Sequence, residues 1–305
     1  MLRGPGPWVA AALALLVWAP YVAWQATHGW PLLALSEAIA GGSSGSSEPP
    51  WLFVPFQLVL VSPFLVPVWV AGWWRLARDP ALRAYRAFAV AFVVLAIVFT
   101  TTGGKPYYLA GLYPVLLAAG AQPVLRWAAD PARRALLGTA LVLSAATSAV
   151  LTLPLVPARV LPATPIVEIY REAGEQVGWP ELAATAAGVF TTLPPAERAT
   201  ATVLTANYGQ AGAVDRFGPG LGLPPAHSGH NSYADWRTPP ETATTAIVLG
   251  HDRDQLRRWF GSVEPAARVD NGIGLDNDEQ GTPVWVCRER HASWAELWPE
   301  IRHVS

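Results

Sequence analysis

Lysine is nearly absent from this chain: Lys105 is the only one, against twenty arginines. Cysteine is as scarce. Cys287 stands alone, which excludes an intrachain disulfide and any cysteine-based metal cluster. A lone thiol in an apolar stretch reads as a small buried residue of a strand. Charged residues make up 14 %, well below the quarter usual in soluble domains. The formal net charge of −1 leaves no concentrated basic surface of the kind that nucleic-acid binding needs. A dinucleotide fingerprint is missing too. Gly218-Pro219-Gly220-Leu221-Gly222 lacks its spacing and context, so no Rossmann cofactor is expected.

Apolar residues are plentiful, at 52 %, and mean hydropathy is +0.27. Residues 1–153 hold nearly all the long apolar runs, and 154–305 hold most of the acids. The expected fold is therefore a multi-span α-helical membrane domain over 1–153, followed by a small extracytoplasmic α/β domain over 154–305. Five spans are expected, at 8–24, 51–74, 85–101, 107–125 and 135–153, each close to the length that crosses a hydrocarbon core. The first resembles a signal peptide in length, but Trp18, Tyr21 and Trp24 and the lack of a small-residue cleavage site favour a retained span. Pro55, Pro63 and Pro67 predict a kink in the second.

Loop charges orient the spans. Arg75, Arg78, Arg83 and Arg86 separate spans two and three, and Arg126, Arg133 and Arg134 separate spans four and five. The loop over 25–50 has no Lys or Arg, and the next loop on that side has only Lys105. The positive-inside rule puts the arginine loops in the cytoplasm. Lys105, the 25–50 loop and the C-terminal half then face outward, in a multi-pass plasma-membrane protein. Within the outer loop, Trp30 to Ala40 reads as a short interfacial helix and Gly41 to Ser47 as a flexible linker. That linker is either a lid over an outward site or a slack connector. His28 and Glu37 lie in this loop.

The stretch from Gly103 to Pro114 joins two apolar segments and carries Lys105, Tyr107, Tyr108 and Tyr113. A compact cation beside phenol hydroxyls at a bilayer edge can hold a phosphate. The same residues also suit an ordinary interfacial anchor, since Lys and Tyr snorkel at membrane surfaces.

Lys105-Pro106-Tyr107-Tyr108-Leu109, with Tyr113-Pro114 following, resembles a Lys-Pro-x-Tyr-Leu-x-x-x-Tyr-Pro signature. The signature is that of bacterial membrane glycosyltransferases related to the aminoarabinose transferase of lipid A modification and to protein O-mannosyltransferases. The resemblance implies a C-type enzyme that uses a polyprenyl-phosphate sugar as donor, with an envelope glycan, lipid or protein as acceptor. It also implies that Lys105 and Tyr107 or Tyr108 contact the lipid phosphate. Two departures matter. The family carries an acidic general base in its first outer loop, whereas the loop here offers only Glu37 and Glu48, neither in that pattern. Family members also have more spans. The chain is therefore expected to correspond to the C-terminal part of such an enzyme, with a missing N-terminal half on another chain as one explanation, and the catalytic acid is not carried over onto Glu37. The alternative is a non-enzymatic, membrane-anchored module that binds envelope glycan or a partner.

In the soluble half, strands are expected at 202–206, 245–250, 263–269 and 283–288. Helices are expected at 166–177, 210–217, 252–260 and 293–302, the last capped by Ser293. Alternating strands and helices predict a partly parallel sheet. Asn207 and Tyr208 at a strand end are candidate ligand-facing residues, because carboxyl ends of strands in α/β sheets hold sites. The loop His227 to Asn231 adds His227 and His230, and Asp276 to Gln280 clusters carboxylates. Neither matches a zinc-hydrolase motif or a full EF-hand loop, so no metal is assigned.

Overall fold

A computed structural model of the protein describes residues 4–42 and 49–304. Most of the Gly/Ser linker, Ser43 to Ser47, and Glu48 after it lie outside the described residues. The chain divides into two compact units, residues 1–141 with 304–305, and residues 142–303. The change in composition at 153/154 comes about a dozen residues later than this division.

The first unit is helical. Its elements are α1 (Pro5–Thr27), α2 (Pro31–Ala40), α3 (Phe53–Val59), α4 (Val66–Arg78), α5 (Arg86–Thr101) and α6 (Tyr113–Trp127), and α7 (Pro131–Thr152) starts within it. Among the described residues four helices are long and apolar enough to cross a membrane, and a fifth span arises if a bent pair counts as one. The bent pair coincides with the expected proline-rich second span. Its pieces, Pro50–Val59 and Pro63–Arg78, meet at 75°. Pro63 lacks the N–H that would continue the helix, and the Ser62 hydroxyl accepts from the N–H of Phe64 to cap the second piece. The fourth expected span opens with a 3₁₀ segment, Pro106–Leu112, before α6 begins.

α4 and α6 approach backbone to backbone. A Cβ on Gly72 would lie 1.8 Å from the Leu116 carbonyl oxygen, and one on Gly120 would lie 1.9 Å from that of Val68. Only glycine fits at either place, which is how helices pack where lipid supplies no hydrophobic drive. Beside this crossing, Phe53, Trp69, Leu109, Tyr113 and Leu116 form a buried cluster. The Trp69 and Phe92 rings meet Tyr113 edge-on, at 5.6 and 5.8 Å.

The second unit is an α/β sandwich. It contains α8 (Ile166–Ile169), α9 (Trp179–Thr192), α10 (Pro195–Ala199), β1 (Ala201–Thr205), α11 (Tyr208–Phe217), β2 (Ala226–Ser228), β3 (Thr245–Leu249), α12 (Arg253–Trp259), β4 (Phe260–Arg268), β5 (Pro283–Arg290) and α13 (Trp294–Ile301). The sheet order is β2-β1-β3-β5-β4, with β1 parallel to both neighbours and β5 antiparallel to β3 and β4. Strand alternation separates two cores. Val203, Ile247 and Leu249 pack on one face with α9 and α11, and Leu204, Ala246, Val248 and Cys287 pack on the other with α12 and α13. Burial pushes the Cys287 thiol up to about 12. The expected Ser293 cap is present as a reciprocal capping box with Glu296.

Two expectations are corrected here. The helix expected over 166–177 is only α8 and a separate turn at 171–173, because Tyr170 leaves helical geometry at φ −136°, ψ 85°. His227 and Ser228 are not loop residues. They form β2, with His227 in register with Leu204.

Candidate functional site

The turn at Lys105 is built by its flanks. α5 ends at Thr101, and Gly103 takes φ +71° so that the N–H of Gly104 can reach the Phe99 carbonyl at 2.7 Å. A Cβ on Gly103 would sit 2.9 Å from Ala40 Cα, so the end of α2 packs against this turn. Lys105 is extended and precedes the 3₁₀ segment, and its carbonyl accepts from the N–H of Tyr108 at 3.0 Å. Gln57, buried in α3, secures the turn from below. Its Nε2 donates to the Pro106 carbonyl at 2.9 Å, and its Oε1 accepts from the Tyr113 hydroxyl at 2.9 Å.

The tyrosines therefore separate by role. Tyr107 and Tyr108 are 51 % and 44 % exposed and stand edge to face, 5.3 Å apart. Tyr108 also packs on Phe99. Tyr113 is buried at 1 % exposure with its hydroxyl spent on Gln57, so it is a packing residue and not a surface one. Glu37 is exposed on α2, about one turn before Ala40. Lys105, Tyr107 and Tyr108 are thus one short turn, with Glu37 on the helix packed beside it. Gln57 escaped the sequence reading, although a lone amide inside Trp51-to-Leu60 was the available signal.

The residues singled out in the second unit serve the fold to differing degrees. Asn207 caps α11, accepting from the N–H of Gln210 at 2.8 Å. Tyr208 is exposed and lies against His230, whose ring stacks on His303 at 4.9 Å. His227 is buried within hydrogen-bond reach of the Arg237 carbonyl, and burial lowers its pKa from the usual imidazole range. Asp215, Tyr233 and Arg237 bond together around β2, and Asp215 also accepts from the N–H of Ala226 at 2.9 Å. That network holds the short strand.

The carboxylate loop is also structural. Asn277 donates to the carbonyls of Gly174 and Val177, and Asp278 pairs with Arg171. Glu279 is buried at the carboxyl ends of β1 and β3, receiving hydrogen bonds from Gln210 at 2.8 Å and from Asn207 and Thr282 at 3.4 Å. Burial raises its pKa despite those donors. Among the described residues no group of three or more His, Cys, Asp or Glu side chains is placed to hold a metal ion. Comparison with protein-family models, curated proteins and solved structures finds no match.

Proposed function

We propose that the protein binds a polyprenyl-phosphate sugar at the Lys105 turn and serves glycosyl transfer to a cell-envelope acceptor. One observation carries this reading: a lysine and two exposed, mutually packed tyrosines lie on a single turn anchored by Gln57 in an apolar helical unit. In the reaction, the bond from the sugar anomeric carbon to the phosphate oxygen breaks and its electron pair stays on the phosphate. The acceptor hydroxyl or amine forms the new bond and gives its proton to a base, which is not assigned to this chain. Lys105 stabilises the charge that grows on the leaving phosphate, and Tyr107 and Tyr108 donate to its oxygens. The arginine-rich turns favour placing this corner and the α/β unit outside the cytoplasm.

The test is binding of a polyprenyl phosphate to the purified protein in detergent, with and without Lys105→Ala. Losing a hydrogen bond to a charged group costs about 1.5–3 kcal/mol. The variant is therefore expected to bind roughly 10- to 150-fold more weakly. Equal binding would reduce Lys105 to an interfacial anchor and favour a membrane-anchored module that binds envelope glycan or a protein.

A further inference from the structure

At the arginine-bearing end of the helical unit lies an open cleft of about 850 Å³ between α4 and α6. Its wall on α4 is apolar. Pro67, Val70 and Trp74 recur at steps of three and four residues, so they share one face over about 10 Å of helix. That face runs directly into Arg75 and Arg78, and α6 contributes Arg126 from the other side.

The charges here are unevenly used. Asp79, the acid in the lining, accepts from Arg75 Nε at 3.2 Å and from the N–H of Ala81 at 2.9 Å. Arg75 also donates to the Ala119 carbonyl at 3.0 Å. Arg75 and Asp79 therefore answer each other and tie α4 to α6. Arg78 and Arg126 are exposed, and among the described residues neither donates a hydrogen bond or forms an ion pair. The Arg78 guanidinium lies over the Trp74 ring, 4.7 Å from its centroid, which orients its planar set of donors. The cleft is thus apolar along its length and carries at one end two exposed arginines without a hydrogen bond or ion pair among the described residues, Arg126 feeling only the field of Asp79.

We propose that this cleft binds an anionic glycerophospholipid. Its phosphate would sit between Arg78 and Arg126, with an acyl chain along the Pro67–Trp74 face. A small soluble anion would satisfy the arginines and leave the apolar wall uncovered, whereas a phospholipid matches both parts. Lipid is also the solvent of any spanning helix, so headgroup charge is what two arginines at its edge can select. This site is separate from the Lys105 turn and does not depend on the glycosyl-transfer reading.

Native mass spectrometry of the purified full chain tests it. The protein in detergent is titrated with phosphatidylglycerol and with phosphatidylcholine of the same acyl chains. Wild type is expected to prefer phosphatidylglycerol by roughly tenfold or more. Arg78→Gln with Arg126→Gln should abolish the preference. Inorganic phosphate should not compete. Should the double variant misfold, Arg126→Gln alone breaks no hydrogen bond or ion pair among the described residues and is expected to lower the preference measurably. Equal retention of the two lipids, a preference that survives the arginine substitutions, or competition by phosphate would each overturn the proposal.

Discussion

Gln57 is the residue on which the shape of the Lys105 turn depends. It is a buried amide in an apolar helix, and it bonds to the Pro106 carbonyl and the Tyr113 hydroxyl, two groups far away in sequence. An unsatisfied polar group is costly in an apolar medium, so the pair of bonds fixes where the 3₁₀ segment starts. Gln57→Leu keeps the volume roughly constant and removes both bonds. We expect it to lower the stability of the protein in detergent by about 1–2 kcal/mol, read from its unfolding midpoint. Under the proposed glycosyl-transfer reading, polyprenyl phosphate affinity should fall with it although Gln57 is buried. An unchanged midpoint would mean that the turn holds itself. At this scale the sequence was informative where chemistry is local: Lys105 stands out by its rarity and Ser293 by its capping pattern. It was silent where a role depends on a distant partner. Tyr113 looked like its neighbours Tyr107 and Tyr108, and its packing against Trp69 and Phe92 and its bond to Gln57 distinguish it as buried.

Among the elements, the α4–α6 crossing is the most constrained. Gly72 and Gly120 let two helix backbones touch, and any side chain there would overlap a carbonyl by more than an ångström of contact distance. Gly120→Val should force the helices apart at a cost of about 1–3 kcal/mol, seen as a lower unfolding midpoint. It should also disturb the hydrogen bond from Arg75 to Ala119, one residue away. A midpoint equal to wild type would show that the crossing is loose. The kink at Pro63 and the strands β1, β3 and β5 were readable because proline removes a donor and buried strands are dense in β-branched and aromatic residues. β2 was not readable. Three residues between a Pro-rich and a Gly-containing stretch carry no alternation, and the strand exists because Asp215 and Arg237 hold its backbone. The helix expected over 166–177 ends at Ile169 for a similar reason: Asn277 and Asp278 bind its second half from a distance of about a hundred residues.

On the scale of the whole molecule, the apolar helices and the small mixed sheet followed from hydropathy and period alone, since both are averages over many residues. Which side each unit faces is a separate matter, resting on the count of arginines in the turns. An alkaline phosphatase reporter fused after Ser305, active only outside the cytoplasm, is expected to be active, and one fused after Arg134 inactive. The reverse pattern would invert the orientation. The central claim concerns the lipid phosphate, and photo-crosslinking tests it most directly. A polyprenyl phosphate with a diazirine near the phosphate is bound to wild-type protein, irradiated, and the labelled peptide mapped. The account predicts label on the segment from Gly103 to Tyr113, lost when unlabelled polyprenyl phosphate is added or when Lys105 is replaced by alanine. Label that falls elsewhere, or that unlabelled lipid does not displace, would contradict it.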